Sequence, residues 1–265
     1  MPRKPQNIVV FDLDETLGHF GQLGLIWDAI RETYTESSKE PPSFNQVMSL
    51  YYEYQRPGIM KMLRYIAGKK EQHSCGSVMI YTNNQGPKEW ARSICHYFEG
   101  ELGRPLFDRV INAFKVRGTR IEPLRTSHDK SIGDLLSCTK LPSDTQFCFI
   151  DDVHHPHMEC ENVYYIHIKP YVYSMRFDAA AKRLLASNLV GALSVDERSR
   201  LNDAILGCAS AYPQEDVDTP AGELAADSAV GKRILQHLQG FFKEHGSRYS
   251  RRRPTRRLRG GTRKR

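Results

Sequence analysis

Ile8-Val9-Val10-Phe11-Asp12-Leu13-Asp14-Glu15-Thr16 is the stretch on which the fold turns. Its four apolar residues run without interruption, whereas a strand with one wet face would alternate, so they read as a short strand buried on both faces. Strands of that kind belong to parallel sheets covered by helices on either side. Similar runs recur at Val78 to Tyr81, Phe147 to Ile150 and Val163 to Ile168. Between them fall helical patterns, at Gly58 to Ala67 with Ile59, Met62, Leu63 and Ile66 on one face, and at Lys88 to Phe98. Buried strands alternating with helices predict an α/β domain around a mostly parallel sheet.

In such sheets ligands bind beyond the carboxyl ends of the strands. The residues just past three of the runs are Asp12, Thr82 and Asp151, all polar. Asp12 and Asp14 place two carboxylates where the chain leaves the sheet. That arrangement suits phosphoryl transfer: one aspartate can attack phosphorus, and a second carboxylate can protonate the leaving oxygen and later activate water.

With these residues in view, Asp-Leu-Asp-Glu-Thr-Leu at 12–17 resembles the first motif of the haloacid dehalogenase-like superfamily, especially its carboxy-terminal-domain (NLI-interacting factor-like) phosphatase branch. Tyr81-Thr82-Asn83-Asn84 is similar to the second motif, Lys130 opening a helix to the third, and Phe149-Ile150-Asp151-Asp152 to the acidic fourth. Arg56-Pro57-Gly58 resembles a segment this branch carries between its first two motifs. The resemblance covers about residues 7 to 168 and implies a Rossmannoid three-layer sandwich without a large cap. It also implies a Mg²⁺-dependent phosphatase with an aspartyl-phosphate intermediate. On it, Asp12 is the nucleophile, Asp14 the general acid and base, Thr82 a donor to the phosphoryl oxygens and Lys130 their positive clamp. Mg²⁺ falls to the Asp12 carboxylate, the Asp14 carbonyl and an acid of the fourth motif, Asp152, with Asp151 orienting Lys130; the reverse assignment of those two stays open. Thr16 and Asn83 border the substrate.

The inserts between the motifs leave no room for a large lid, so the substrate expected is a phosphoserine or phosphothreonine on a protein. The chain departs from the family pattern at Gly18-His19-Phe20-Gly21 and Asn83-Asn84-Gln85, which puts polymerase-tail specificity in doubt. Two alternatives are a nucleotide or nucleic-acid-end phosphatase and a non-catalytic scaffold, the second expected to have lost Asp12 or Asp14.

Beyond Ile168, Phe177 to Leu189 reads as a helix, and Ser194 with Glu197 forms a capping box opening another. These make a helical extension at 171–209 after a core at 1–170. A linker follows at 210–223, then an amphipathic helix at 224–246 with Ile234, Leu235, Leu238, Phe241 and Phe242 in one stripe, and a disordered Arg-rich tail at 247–265. Arg248 to Arg265 holds ten basic residues and no acid, so a chain of net charge +7 has a body of −3. Such a tail favours weak, salt-sensitive binding to nucleic acid or acidic partners.

No run is long enough to span a bilayer, and Met1 to Asn7 lacks the apolar stretch of a signal peptide. The expected localisation is intracellular, nuclear if the tail is an import address and cytoplasmic otherwise. Six scattered cysteines predict free thiols rather than disulfides or a zinc site. His154, His155 and His157 read as a polar loop beside the site, and Tyr51, Tyr52 and Tyr54 as a packed helix face opened by a Ser43–Gln46 cap.

Overall fold

The computed structural model describes residues 7–210, 212 and 221–250. Strands β1 (Asn7–Phe11), β2 (Ser77–Tyr81), β3 (Arg109–Ile111), β6 (Gln146–Asp151) and β7 (Val163–His167) form one parallel sheet, in the order β3-β2-β1-β6-β7. β4 (Lys115–Val116) and β5 (Thr119–Arg120) make a separate antiparallel hairpin. The helices are α1 (Gly21–Ser37), α2 (Phe44–Leu50), α3 (Ile59–Glu71), α4 (Lys88–Leu102), α5 (Ile132–Thr139), α6 (Phe177–Ala186), α7 (Val195–Gly207) and α8 (Ala221–Ser250).

Side chains alternate through the sheet, as the pleat requires. Val9, Phe11, Val78, Ile80, Cys148 and Ile150 face a large helical layer built from every helix except α5. Ile8, Val10, Met79, Tyr81, Phe147 and Phe149 face Leu135 and Cys138 of α5, together with Met158. The result is the α/β Rossmann-like sandwich that the apolar runs predict. From β1 the chain moves outward through β2 to β3, then returns to place β6 on the other flank of β1. Ligands in open α/β sheets bind at such a reversal. Register seats Phe11 opposite both Ile80 and Ile150, so the residues that follow, Asp12 and Asp151, emerge side by side.

Several boundaries differ from the periodicity. The helix read over Phe177 to Leu189 stops at Ala186, because the Ser187 hydroxyl accepts from Leu189 N–H and starts a new 3₁₀ turn. α8 extends at both ends, into residues read as linker and as tail. The expected disorder at 251–265 and most of the linker lie outside the described residues. All six cysteines carry free thiols. Among the described residues no helix is long and apolar enough to cross a membrane.

The helices after residue 170 close the core. α6 and α7 pack together with α7 on α1, while α8 lies on α3, β6 and β7. Phe242 of α8 meets Tyr65 at 6.1 Å between ring centres, and Phe241 meets Tyr164 at 5.9 Å. α8 comes closest at Gly231, where an added Cβ would stand 2.5 Å from the Pro57 carbonyl oxygen. Alanine at a helical glycine ordinarily gains about 1 kcal/mol from propensity. Here overpacking opposes it, and Gly231→Ala is expected to destabilise the protein by about 1–3 kcal/mol in chemical denaturation.

Candidate functional site

The acids converge because of the sheet's alternation. Phe11 and Ile150 point into the large helical layer, so Asp12 and Asp151 turn toward the α5 side. Asp12 N–H donates to the Ile150 carbonyl at 2.9 Å, extending the β1–β6 ladder past the end of β1. Lys130 arrives just ahead of α5, whose first turn is capped by Ser131 accepting from Asp134 N–H at 3.1 Å. Its ammonium lies 2.6 Å from Asp12 Oδ1 and 2.7 Å from Asp151 Oδ2, and the side chain is 2% exposed. The Tyr81 and Phe149 ring centres stand 5.9 and 6.0 Å from it, so aromatic faces complete the enclosure.

Asp151 is fully engaged. Val153 N–H donates to Oδ1 at 2.8 Å, Lys130 holds Oδ2, and His155 Nε2 lies 3.5 Å from that same oxygen. Burial alone would raise its carboxyl, but His155, Lys130 and the Val153 amide hold it below the ordinary carboxylate range. Asp152 is arranged differently. Thr16 Oγ1 donates to its Oδ1 at 2.8 Å, and the Asp152 N–H donates to Thr16 Oγ1 at 3.2 Å. Burial pushes Asp152 up, with the Thr16 bond acting against it. Asp12 Oδ1 is buried and, although 2.6 Å from the Lys130 ammonium, accepts no aligned hydrogen bond. Burial pushes Asp12 up to about 7 against the pull of Lys130, with the neighbouring Asp151 charge adding to the rise.

Oxygens of Asp12, Asp151 and Asp152 lie within 4.8 Å of one another, a group that could hold a metal ion. Carboxylate oxygens suit a hard divalent cation. Three carboxylates gather there around the single Lys130 ammonium, and a cation would offset the remaining negative charge.

Asp14 stands slightly apart from this group. Asn84 Nδ2 donates to its Oδ2 at 2.7 Å, burial raises its carboxyl against that bond, and its carbonyl accepts from Thr16 N–H at 2.6 Å. Asn84 is itself fixed by Gly86 N–H donating to its Oδ1 at 2.8 Å. Thr82 Oγ1 accepts from Asn84 N–H at 3.0 Å, which leaves the hydroxyl proton to donate elsewhere. Thr16 and Asn83, expected to border the substrate, also bond within the protein: Thr16 to Asp152, and Asn83 through Nδ2 to the His128 carbonyl at 2.9 Å.

Two buried arginines hold these loops. Arg56 donates from Nε to the Thr16 carbonyl at 2.6 Å and from Nη2 to the Glu15 carbonyl and to that of Lys169, the last at 2.9 Å. Burial lowers its guanidinium to about 10. Arg125 donates from Nη1 to the carbonyls of Thr82 and Asn112 at 3.0 and 2.9 Å, and from Nη2 to Asn83 Oδ1 and the His128 carbonyl at 2.8 and 3.0 Å. Sequence reading picks out the Arg-Pro-Gly segment but not Arg125, whose neighbours carry no pattern. Of the histidines, His154 pairs with Glu159 at 2.8 Å and His155 attends Asp151, and among the described residues none joins the acidic group. Tyr51 and Tyr54 are buried, while Tyr52 is 63% exposed and lines a cavity of about 730 Å³ beside Arg56.

No family model, curated protein or solved structure matches this chain.

Thr16→Val removes both bonds to Asp152 at nearly constant volume. Loss of stability of about 1–3 kcal/mol is expected from the unpaired groups left behind. If the acidic group holds a divalent cation, its binding should weaken by about tenfold to a hundredfold as well, as for partners that orient metal ligands. Denaturation and calorimetric titration measure the two effects.

Proposed function

We propose that this chain is a Mg²⁺-dependent phosphomonoester hydrolase of the haloacid dehalogenase-like kind, acting on phosphoserine or phosphothreonine in proteins. The observation that carries this reading is the meeting of Asp12, Asp151, Asp152 and Lys130 at the carboxyl edge of β1 and β6. They come from three segments far apart in the chain, and each segment matches its motif in order.

In this reading the Asp12 carboxylate attacks phosphorus, and the bond from phosphorus to the substrate oxygen breaks. Asp14 gives that oxygen its proton. Water then attacks the phosphorus of the aspartyl phosphate, Asp14 takes the water's proton, and the bond to Asp12 breaks to release inorganic phosphate. Lys130 balances charge on the phosphoryl oxygens, and the Thr82 hydroxyl donates to one of them. Asp151 acts through Lys130, to which it is bonded. Mg²⁺ held by Asp12, Asp152 and the Asp14 carbonyl would supply further positive charge against those oxygens. Asn84 keeps Asp14 turned toward the same crevice.

The choice of a protein substrate follows from access. Residues 17–81 fold into α1, α2, α3 and β2, whose buried side chains join the sheet's core instead of a lid. A phosphate on a nucleic-acid end is the second reading, favoured by the ten basic residues from Arg248 onward.

Asp12→Asn is expected to cut aryl phosphate turnover by at least ~10³-fold, as loss of a nucleophile does, with circular dichroism unchanged. Chelation of Mg²⁺ should abolish turnover and its return restore it. Near-normal hydrolysis by the Asn variant would remove Asp12 from its role. Turnover of an end-phosphorylated oligonucleotide above that of a phosphopeptide would favour the second reading.

A further inference from the structure

Phe114-Lys115-Val116-Arg117-Gly118-Thr119-Arg120 forms the β4–β5 hairpin, with Arg117 and Gly118 in the left-handed region at its tip, at φ 49° and 80°. Lys115, Arg117 and Arg120 are all exposed, and among the described residues no carboxylate pairs with any of them. Both Lys115 Nζ, at 5.0 Å, and Arg120 Cζ, at 5.1 Å, lie over the Phe114 ring. These contacts prop both cationic heads at the surface.

The hairpin stands at the rim of the candidate site. It follows directly from β3, whose last residue, Ile111, accepts from Thr82 N–H at 3.0 Å, so it leaves the sheet at the same edge as Thr82. Arg120 donates to the Arg125 carbonyl at 2.8 Å, and Arg125 in turn holds the Thr82 and His128 carbonyls. The Phe114 ring meets the His128 ring at 5.6 Å, two residues ahead of Lys130.

Along the flank of β3, Lys88 and Arg92 of α4 and Arg109 of β3 border a separate cavity of about 430 Å³ together with three acids. Two of its acids are already engaged. Glu99 accepts from the Leu106 and Phe107 amides at 2.7 and 2.8 Å, and Asp108 holds Lys70 at 2.7 Å. Glu122 is the third. A cationic hairpin on a chain whose body, without its tail, is net −3 is a local feature, not the average of the surface.

We propose that the β4–β5 hairpin docks the acidic flank of a phosphorylated polypeptide, meaning carboxylates or further phosphates close to the phosphorylated residue. The inference rests on the phosphatase reading and adds a substrate class to it. Its warrant is charge complementarity at the rim of the site. A polypeptide fits better than nucleic acid, because the hairpin has a single aromatic ring, already contacted by its own Lys115 and Arg120, and no row of rings on which successive bases could stack.

The test uses the full chain and the double variant Lys115→Gln/Arg117→Gln, leaving Arg120, which braces Arg125. Substrates are an aryl phosphate, a phosphopeptide with an acidic flank, the same peptide with a glutamine flank, and a 5′-phosphorylated oligonucleotide. For the acidic peptide the variant should raise KM about threefold to tenfold at low ionic strength, the range for two exposed ion pairs. Its kcat should hold, as should both constants for the aryl phosphate and the glutamine peptide, and salt should erase the difference. Binding of both peptides, read by fluorescence anisotropy with Mg²⁺ chelated, separates the two possible failures. Absence of aryl phosphate turnover in the unaltered protein sinks the phosphatase reading, whereas equal binding of acidic and glutamine peptides sinks the docking inference. A loss confined to the oligonucleotide assigns the surface to nucleic acid and overturns the inference as well.

Discussion

One ammonium buried between two carboxylates is the constraint on which the rest of the site depends. Taking each of Asp12, Lys130 and Asp151 out of water costs several kcal/mol, and their attraction repays this only with close geometry and further hydrogen bonds. Lys130 meets the first condition at 2.6 and 2.7 Å, and Asp151 the second through Val153 and His155. Asp12 shares the first at 2.6 Å from the ammonium, yet burial still raises its carboxyl to about 7. Adding Asp152 gives three carboxylates against one ammonium. An excess of buried negative charge of this kind is relieved either by protons or by a cation, and the oxygen spacing accommodates the cation.

Holding that geometry requires loops that do not move, and the two buried arginines provide it. Both bind mainly backbone carbonyls. Arg56 gathers Glu15, Thr16 and Lys169, tying the loop after β1 to the segment after β7. Arg125 gathers Thr82, Asn112 and His128, tying the loops after β2 and β3 to the approach of Lys130. A planar guanidinium can serve three or four acceptors at fixed angles, which a lysine on a flexible stem cannot. α8 bears on the same scaffold, since Gly231 lies against Pro57, next to Arg56.

How much of this was legible in the sequence depended on whether the signal was local. The four long core strands stand out because burial on both faces leaves unbroken apolar runs, and their carboxyl ends pointed to Asp12, Thr82 and Asp151. The capping boxes at Ser43 and Ser194 form as read. β3 was not legible as a strand, being three residues long at the sheet's edge. α1 escaped notice for want of a start signal: Phe20 occupies its N-cap without a side-chain bond. The apolar stripe of α8 says that it docks and nothing about where, because the mark of its seat is a glycine so near the distant Pro57 carbonyl that an added Cβ would stand 2.5 Å from it. Thr16 and Asn83 were placed at the substrate by motif position, and only tertiary contacts give them to Asp152 and to the Arg125–His128 brace. Arg125 has no local signal at all, for an arginine in a loop reads as a solvated charge until its four acceptors are assembled around it.

The same distinction bears on specificity. A small-molecule enzyme of this architecture would need a cover to read its substrate from every side, and here the segments long enough to form one are drawn into the helical layer by Leu23, Ile26, Ile30, Val47 and Met48. A protein that commits those side chains to its core leaves the acidic group uncovered by them at the carboxyl edge. Selection among substrates must then come from whatever borders that edge, and the bordering residues are those in which this chain departs from the pattern it resembles. Asn84 fixes Asp14, Asn83 joins the Arg125 brace, and His19 binds the Tyr173 carbonyl at 2.6 Å and packs near Tyr212. These departures keep the inner carboxylates in place while changing the surroundings, so under the proposed function the chemistry and the choice of substrate would rest on separable sets of residues.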